Sequence, residues 1–108
     1  MSIAPKFSIG STRWPGLAKL IEECGELQQV AGKLIATGGE SHYWDDTDLH
    51  ERLHEELADT LAAVRFFVKM NGLDSNRIDA RVGEKLQKFE AWQKRGLQGT
   101  AGFTRSEP

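Results

Sequence analysis

The sequence predicts an all-α protein: a bundle of about three main helices per chain, completed by oligomerisation. Three observations carry this. Apolar residues recur at steps of three and four through three long stretches. No stretch sustains the two-residue alternation of a half-buried strand. The punctuation, Gly38-Gly39 and Asn71-Gly72, falls between the periodic stretches rather than inside them.

Taken in order, Met1 to Thr12 is mixed, with Pro5 and Gly10, and reads as a flexible arm. The first helix is expected from about Trp14 to Ala36. Pro15 is tolerable there because it falls in the first turn. Leu17, Leu20, Ile21, Cys24, Leu27, Ala31, Leu34 and Ile35 form one face centred near Cys24 and Ala31, which makes Cys24 a core residue. Ala18, Gly25, Gly32 and Ala36 line the flank opposite the glutamates, a small-residue ridge that permits close helix approach. The second helix is expected from about Asp46 to Asn71, with Gly72 as its stop. Leu49, Leu53, Leu57, Leu61, Val64 and Val68 are its main stripe. A third, from an N-cap at Ser75 to about Arg95, carries Ile78, Val82, Leu86 and Phe89. Gly96 to Pro108 reads as a flexible tail.

The whole, 108 residues, suits a single domain with its ordered core at about 14–95. Helix two also carries Ala58, Ala62, Ala63, Phe66 and Phe67 off its stripe. It is apolar almost all round beyond Asp59, more than one short chain can cover. A homodimer or homotetramer is the economical answer.

Composition narrows the function. Hydrophobic residues are 39% and charged residues 28%, which is globular. Fourteen Lys and Arg against 16 Asp and Glu give a net charge of −2, which argues against a mainly electrostatic nucleic-acid binder. Nothing approaches the roughly 20 apolar residues of a membrane helix, so neither nucleic acid nor membrane is an expected partner. A single cysteine, Cys24, makes no intramolecular disulfide and gives no sign of an oxidising compartment; a cytoplasmic protein is the expectation.

The acidic residues are the informative ones. Glu23 with Glu26, and Glu56 with Asp59, form i, i+3 pairs on the shoulders of the two core faces, with Glu22 and Glu55 further round. Packed antiparallel by those faces, the helices would bring four carboxylates together at the lip of the bundle. Within four positions of the first pair the only base in helix one is Lys19. Like charges so arranged repel, and a hard divalent cation relieves them; all-oxygen ligands suit Mg²⁺ or Mn²⁺. Solvated acidic pairs are the ordinary alternative.

Glu22-Glu23-Cys24-Gly25-Glu26-Leu27, followed by Glu55-Glu56-Leu57-Ala58-Asp59, resembles the EExxE…ExxD signature of the MazG-like nucleotide pyrophosphohydrolases. These belong to the all-α NTP pyrophosphatase superfamily, with the dimeric dUTPases, dCTP pyrophosphatases and phosphoribosyl-ATP pyrophosphatase. The resemblance spans about Trp14 to Arg95, and the segment from Leu27 to Glu55 is long for that family. It implies cleavage of a nucleoside or deoxynucleoside triphosphate between the α and β phosphates, giving monophosphate and pyrophosphate. It also implies Mg²⁺ held by Glu23, Glu26, Glu56 and Asp59. Glu22 would bind a second metal or act catalytically by orienting the attacking water; spacing alone does not divide ligand and base between Glu22 and Glu23.

Substrate contacts are expected from two places. Arg81, Lys85, Lys88 and Arg95 fall within about 80° on helix three beside Trp92, a stripe suited to phosphates, with Lys85 nearest the apolar face. Ser41-His42-Tyr43-Trp44 is an aromatic cluster in a loop, so His42 and Trp44 are candidates to stack on a nucleobase, or else the loop caps the core. Trp14 reads as packing. Glu51-Arg52-Leu53-His54 is a lone ExxH, where a di-iron bundle needs two. A phosphoribosyl-ATP pyrophosphatase-like enzyme and a non-enzymatic helical adaptor are the alternative readings. Base and sugar preference are not legible in the sequence.

Overall fold

The computed structural model describes residues 5–97. They form a short 3₁₀ turn, Pro5–Phe7, and three helices, α1 Leu17–Ala36, α2 Leu49–Met70 and α3 Ser75–Leu97. The described residues include no strand, only an isolated antiparallel bridge between His42 and Asp48. The fold class is all-α, as the periodicity requires. No described helix is long and apolar enough to cross a membrane. The first four residues of the expected arm, and the expected tail from residue 98 onward, lie outside the described residues. The chain divides into two compact units, one through Leu73 holding α1 and α2, the other from Asp74 holding α3.

Helix starts differ from the sequence reading, for local reasons. Trp14 has φ 46° and Gly16 φ 89°, so Pro15 lies in a turn before α1 rather than in its first turn. Asp46, at φ 70°, likewise sits outside α2. The cap of α2 is Asp48, whose carboxylate accepts from the Glu51 N–H. Ser75 is the first residue of α3 rather than its cap. Asp74 takes that place, accepting from the Arg77 N–H at 3.1 Å. At the far end of α2, Gly72 at φ 61° lets the Leu73 N–H turn back to the Val68 carbonyl, a Schellman closure.

α1 and α2 pack as an antiparallel hairpin, pinned where the start of α1 meets the end of α2. Trp14 stacks on Phe67 with centroids 6.0 Å apart, and the Asn71 side chain donates to the Pro15 carbonyl at 2.9 Å. A Cβ on Gly16 would lie 3.0 Å from the Phe66 ring, so this crossing needs glycine for space as well as for its positive φ. At the other end the loop folds back, with the Leu49 N–H donating to the Ser41 carbonyl and Tyr43 receiving the Lys33 ammonium over its ring. Leu49 is fully buried there. The core-capping reading of this loop holds for its Tyr43 side.

The packed faces are rotated from the expected ones. Glu23 and Val30 are the buried residues of α1, and Leu49, Glu56 and Ala63 those of α2. Leu20, Leu27, Leu34, Leu53, Thr60 and Phe67 fill in, half-buried. Each seam therefore lies one residue, about 100°, before the centre read from the apolar pattern. Cys24 and Ala31 are exposed rather than core, and Leu57, Leu61 and Val64 point outward. Small residues make this rotation possible: Thr60 Oγ1 reaches across to the Glu23 carbonyl at 3.3 Å while bonding its own Glu56 carbonyl at 2.7 Å. A two-helix hairpin has one inner face per helix, and the bulkier stripes stay outside it.

Candidate metal centre

The rotation puts carboxylates in the seam. Glu23 from α1 and Glu56 and Asp59 from α2 each offer an oxygen, and these lie within 4.8 Å of one another. Glu56 is 1% exposed and Glu23 9%, while Asp59 faces solvent, so the group has a closed floor and an open side. Glu26, one turn beyond Glu23 and half-buried, lies against both Glu23 and Glu56. Of the four residues expected to converge, Glu23, Glu56 and Asp59 come together with Glu26 outside that tight group, and Glu56 is at the bottom of the interface rather than on its shoulder.

Charge balance is incomplete. The Arg52 guanidinium meets Glu56 Oε1 at 2.8 Å, from the partly exposed side of the group. Glu23 Oε1 and Glu56 Oε2 are buried with no hydrogen-bond partner. Burial pushes the Glu23 carboxyl above its ordinary value, and the neighbouring carboxyls of Glu26 and Asp59 add to this against Lys19. Burial raises Glu56 as well, against the pull of Arg52 and with Glu26 and Asp59 adding.

Two orphaned carboxylate oxygens in a half-closed acidic group are costly in protein alone. A small divalent cation held by the group would lower that cost. The donors are all carboxylate oxygens, with neither imidazole nor thiolate among them, which fits Mg²⁺ or Mn²⁺.

The other expected site residues fall elsewhere. Glu22 is exposed on α1 and paired with Lys19 at 3.2 Å, outside the tight group. Glu55 pairs with Arg52 at 3.4 Å. His42 and Trp44 sit in the loop, at least twelve residues along the chain from either acidic pair. There His42 bonds the Ser41 hydroxyl, and Trp44, 84% exposed, tilts against Tyr43. Arg81, Lys85 and Lys88 belong to α3, in the second unit. Arg81 approaches Glu84 at 3.9 Å, and Lys85 is half-buried in a shallow hollow with Ile78, Val82, Leu86 and Phe89. Glu51 and His54 join no group of three metal donors among the described residues, which leaves the di-iron pattern without support.

Two features escaped the sequence reading. Arg52, four residues before Glu56, was available as an i, i+4 partner, but only burial makes that pair matter. A cavity of about 740 Å³ opens beside the hairpin crossing, walled by Phe7, Ile9, Pro15, Phe66, Met70 and Lys19. It has no local signature, because the arm and both helices build it together. Compared with known proteins, the chain matches no family model, no curated protein and no solved structure.

Proposed function

We propose that this chain is a metal-dependent nucleoside triphosphate pyrophosphohydrolase of the MazG-like kind, converting a (d)NTP to (d)NMP and pyrophosphate. The observation that carries the reading is the pair of orphaned buried oxygens, Glu23 Oε1 and Glu56 Oε2, within a three-carboxylate group. A surface acidic patch has no reason to bury charge in this way. Glu23, Glu56 and Asp59 would hold Mg²⁺ or Mn²⁺, with Glu26 completing the shell.

The bound cation would neutralise phosphate charge and make a coordinated water more acidic. The chain's own residues divide the remaining work. Arg52, paired with Glu56 at 2.8 Å, would orient that carboxylate from the rim. Glu22, outside the tight group, is the carboxylate left to orient water and accept its proton. The cavity supplies room for the nucleoside: Gly16 and Phe66 lie seven residues from Glu23 and Asp59 along α1 and α2, about 10 Å of helix. That span is comparable with the reach from a nucleobase to its polyphosphate. Arg81, Lys85 and Lys88 remain proposed phosphate contacts and Trp44 and His42 proposed base contacts, in a homodimer or homotetramer.

The test is to incubate the pure protein with Mg²⁺ and a panel of nucleotides, phosphoribosyl-ATP included, and to identify the products. Monophosphate and pyrophosphate are expected, and loss of both with EDTA. Orthophosphate with nucleoside diphosphate as the only products would overturn the reading. No turnover of any member would put the helical adaptor ahead.

A further inference from the structure

All three histidines of the chain lie between residues 42 and 54, and two of them, His50 and His54, are one helical turn apart at the start of α2. Their rings meet edge to face with centroids 4.7 Å apart, and both are exposed. His54 Nδ1 lies 2.8 Å from the His50 carbonyl oxygen. A carbonyl only accepts, so Nδ1 carries the hydrogen, and in the neutral ring Nε2 is left with its lone pair outward. This is the arrangement by which a backbone carbonyl orients a metal-binding histidine.

We propose that His50 and His54 form a second cation site, separate from the acidic group and of different chemistry, taking a borderline first-row ion such as Zn²⁺ or Ni²⁺. Imidazole nitrogens suit those ions, whereas Mg²⁺ prefers carboxylate oxygen. A zinc–nitrogen bond is about 2.0–2.1 Å, and side chains at i and i+4 are neighbours on a single helix face, a spacing that suits two nitrogens sharing one ion. The pair supplies two ligands and solvent the rest, so the site is an open chelate on the surface. One of its two rings is already held in the ligating tautomer.

The experiment is calorimetric titration of the metal-free protein with Zn²⁺ and with Ni²⁺ in 5 mM Mg²⁺, roughly the excess needed to keep the carboxylates saturated. One equivalent of Ni²⁺ is expected to bind with Mg²⁺ present. His54→Gln keeps a helix-compatible side chain and should weaken binding by at least about tenfold. Circular dichroism establishes that the variant stays helical, and His50→Gln should reproduce its loss. Glu56→Gln should leave Ni²⁺ binding intact while reducing the Mg²⁺ response, which separates this site from the acidic one. Unchanged Ni²⁺ affinity in both histidine variants would overturn the proposal, as would competition by Mg²⁺ at that concentration.

Discussion

At the scale of single residues, Glu56 decides most. It is as buried as the core leucine Leu49, yet one oxygen has only Arg52 and the other nothing. Glu56→Gln removes a charge and keeps the shape. Turnover is expected to vanish, while the metal-free protein stays as stable as wild type or becomes more so. Millimolar Mg²⁺ should raise the wild-type melting temperature by mass action, and do so much less in the variant. Normal turnover with an undiminished Mg²⁺ response would remove Glu56 from the site. The pH dependence follows from the same burial. Glu23 and Glu56 titrate above the ordinary 4.5 in the folded chain, so the native state holds those protons more tightly than the unfolded one. Their stabilisation is complete below about 4.5 and is lost as pH rises through the raised values. Melting curves without metal should therefore show wild type and Glu56→Gln converging at acid pH, with the variant ahead near neutrality. Parallel curves across that range would contradict the assigned direction.

At the scale of elements, the hairpin crossing sets the rotation of α1 against α2, and Gly16 is its hinge. Any side chain there meets the Phe66 ring and must also adopt φ 89°. Gly16→Ala is expected to cost about 1–3 kcal/mol in denaturant unfolding. Because the crossing also walls the cavity, the same variant should raise KM for nucleotide more than it lowers kcat. A variant as stable as wild type would mean that the crossing is not what holds the helices in register. α3 poses a different problem, since none of its residues is buried and Val82, Leu86 and Phe89 are about half exposed. Its cap at Asp74 and its spacing form the helix; neither specifies what covers it.

For the whole molecule, the outward stripes are the matter to resolve. Leu57, Leu61 and Val64 on α2 continue one another at steps of four and three, and Leu61 is 56% exposed. Single exposed apolar residues are ordinary, but a continuous stripe on a long helix marks a surface that another copy can cover. Light scattering at micromolar concentration should find a homodimer or homotetramer, and Leu61→Glu should shift it towards monomer without loss of helicity by circular dichroism. A wild-type monomer would rule out this form of assembly.

The amino-acid sequence by itself determined the three helices, their stops and the three members of the acidic group, Glu23, Glu56 and Asp59, though not which of its neighbours stay outside it. Each of these depends on spacing along one helix or on a local cap, and 3.6-residue periodicity records both. The helix starts were less legible because Trp14 and Asp46 adopt positive φ, which their residue types do not announce. Only the tertiary structure decided which face turned inward. A helix apolar over much of its circumference has several acceptable rotations, and its pattern gives no preference among them. The choice was made by contacts between residues more than fifty apart, Trp14 with Phe67 and Pro15 with Asn71, and by the small Thr60 and Ala63 in the seam. That rotation of about 100° carried Glu23 and Glu56 from the shoulder into the interface. Two acidic pairs expected on solvated shoulders became a half-buried, unbalanced group, and that burial, not sequence spacing, is what supports the proposed cation.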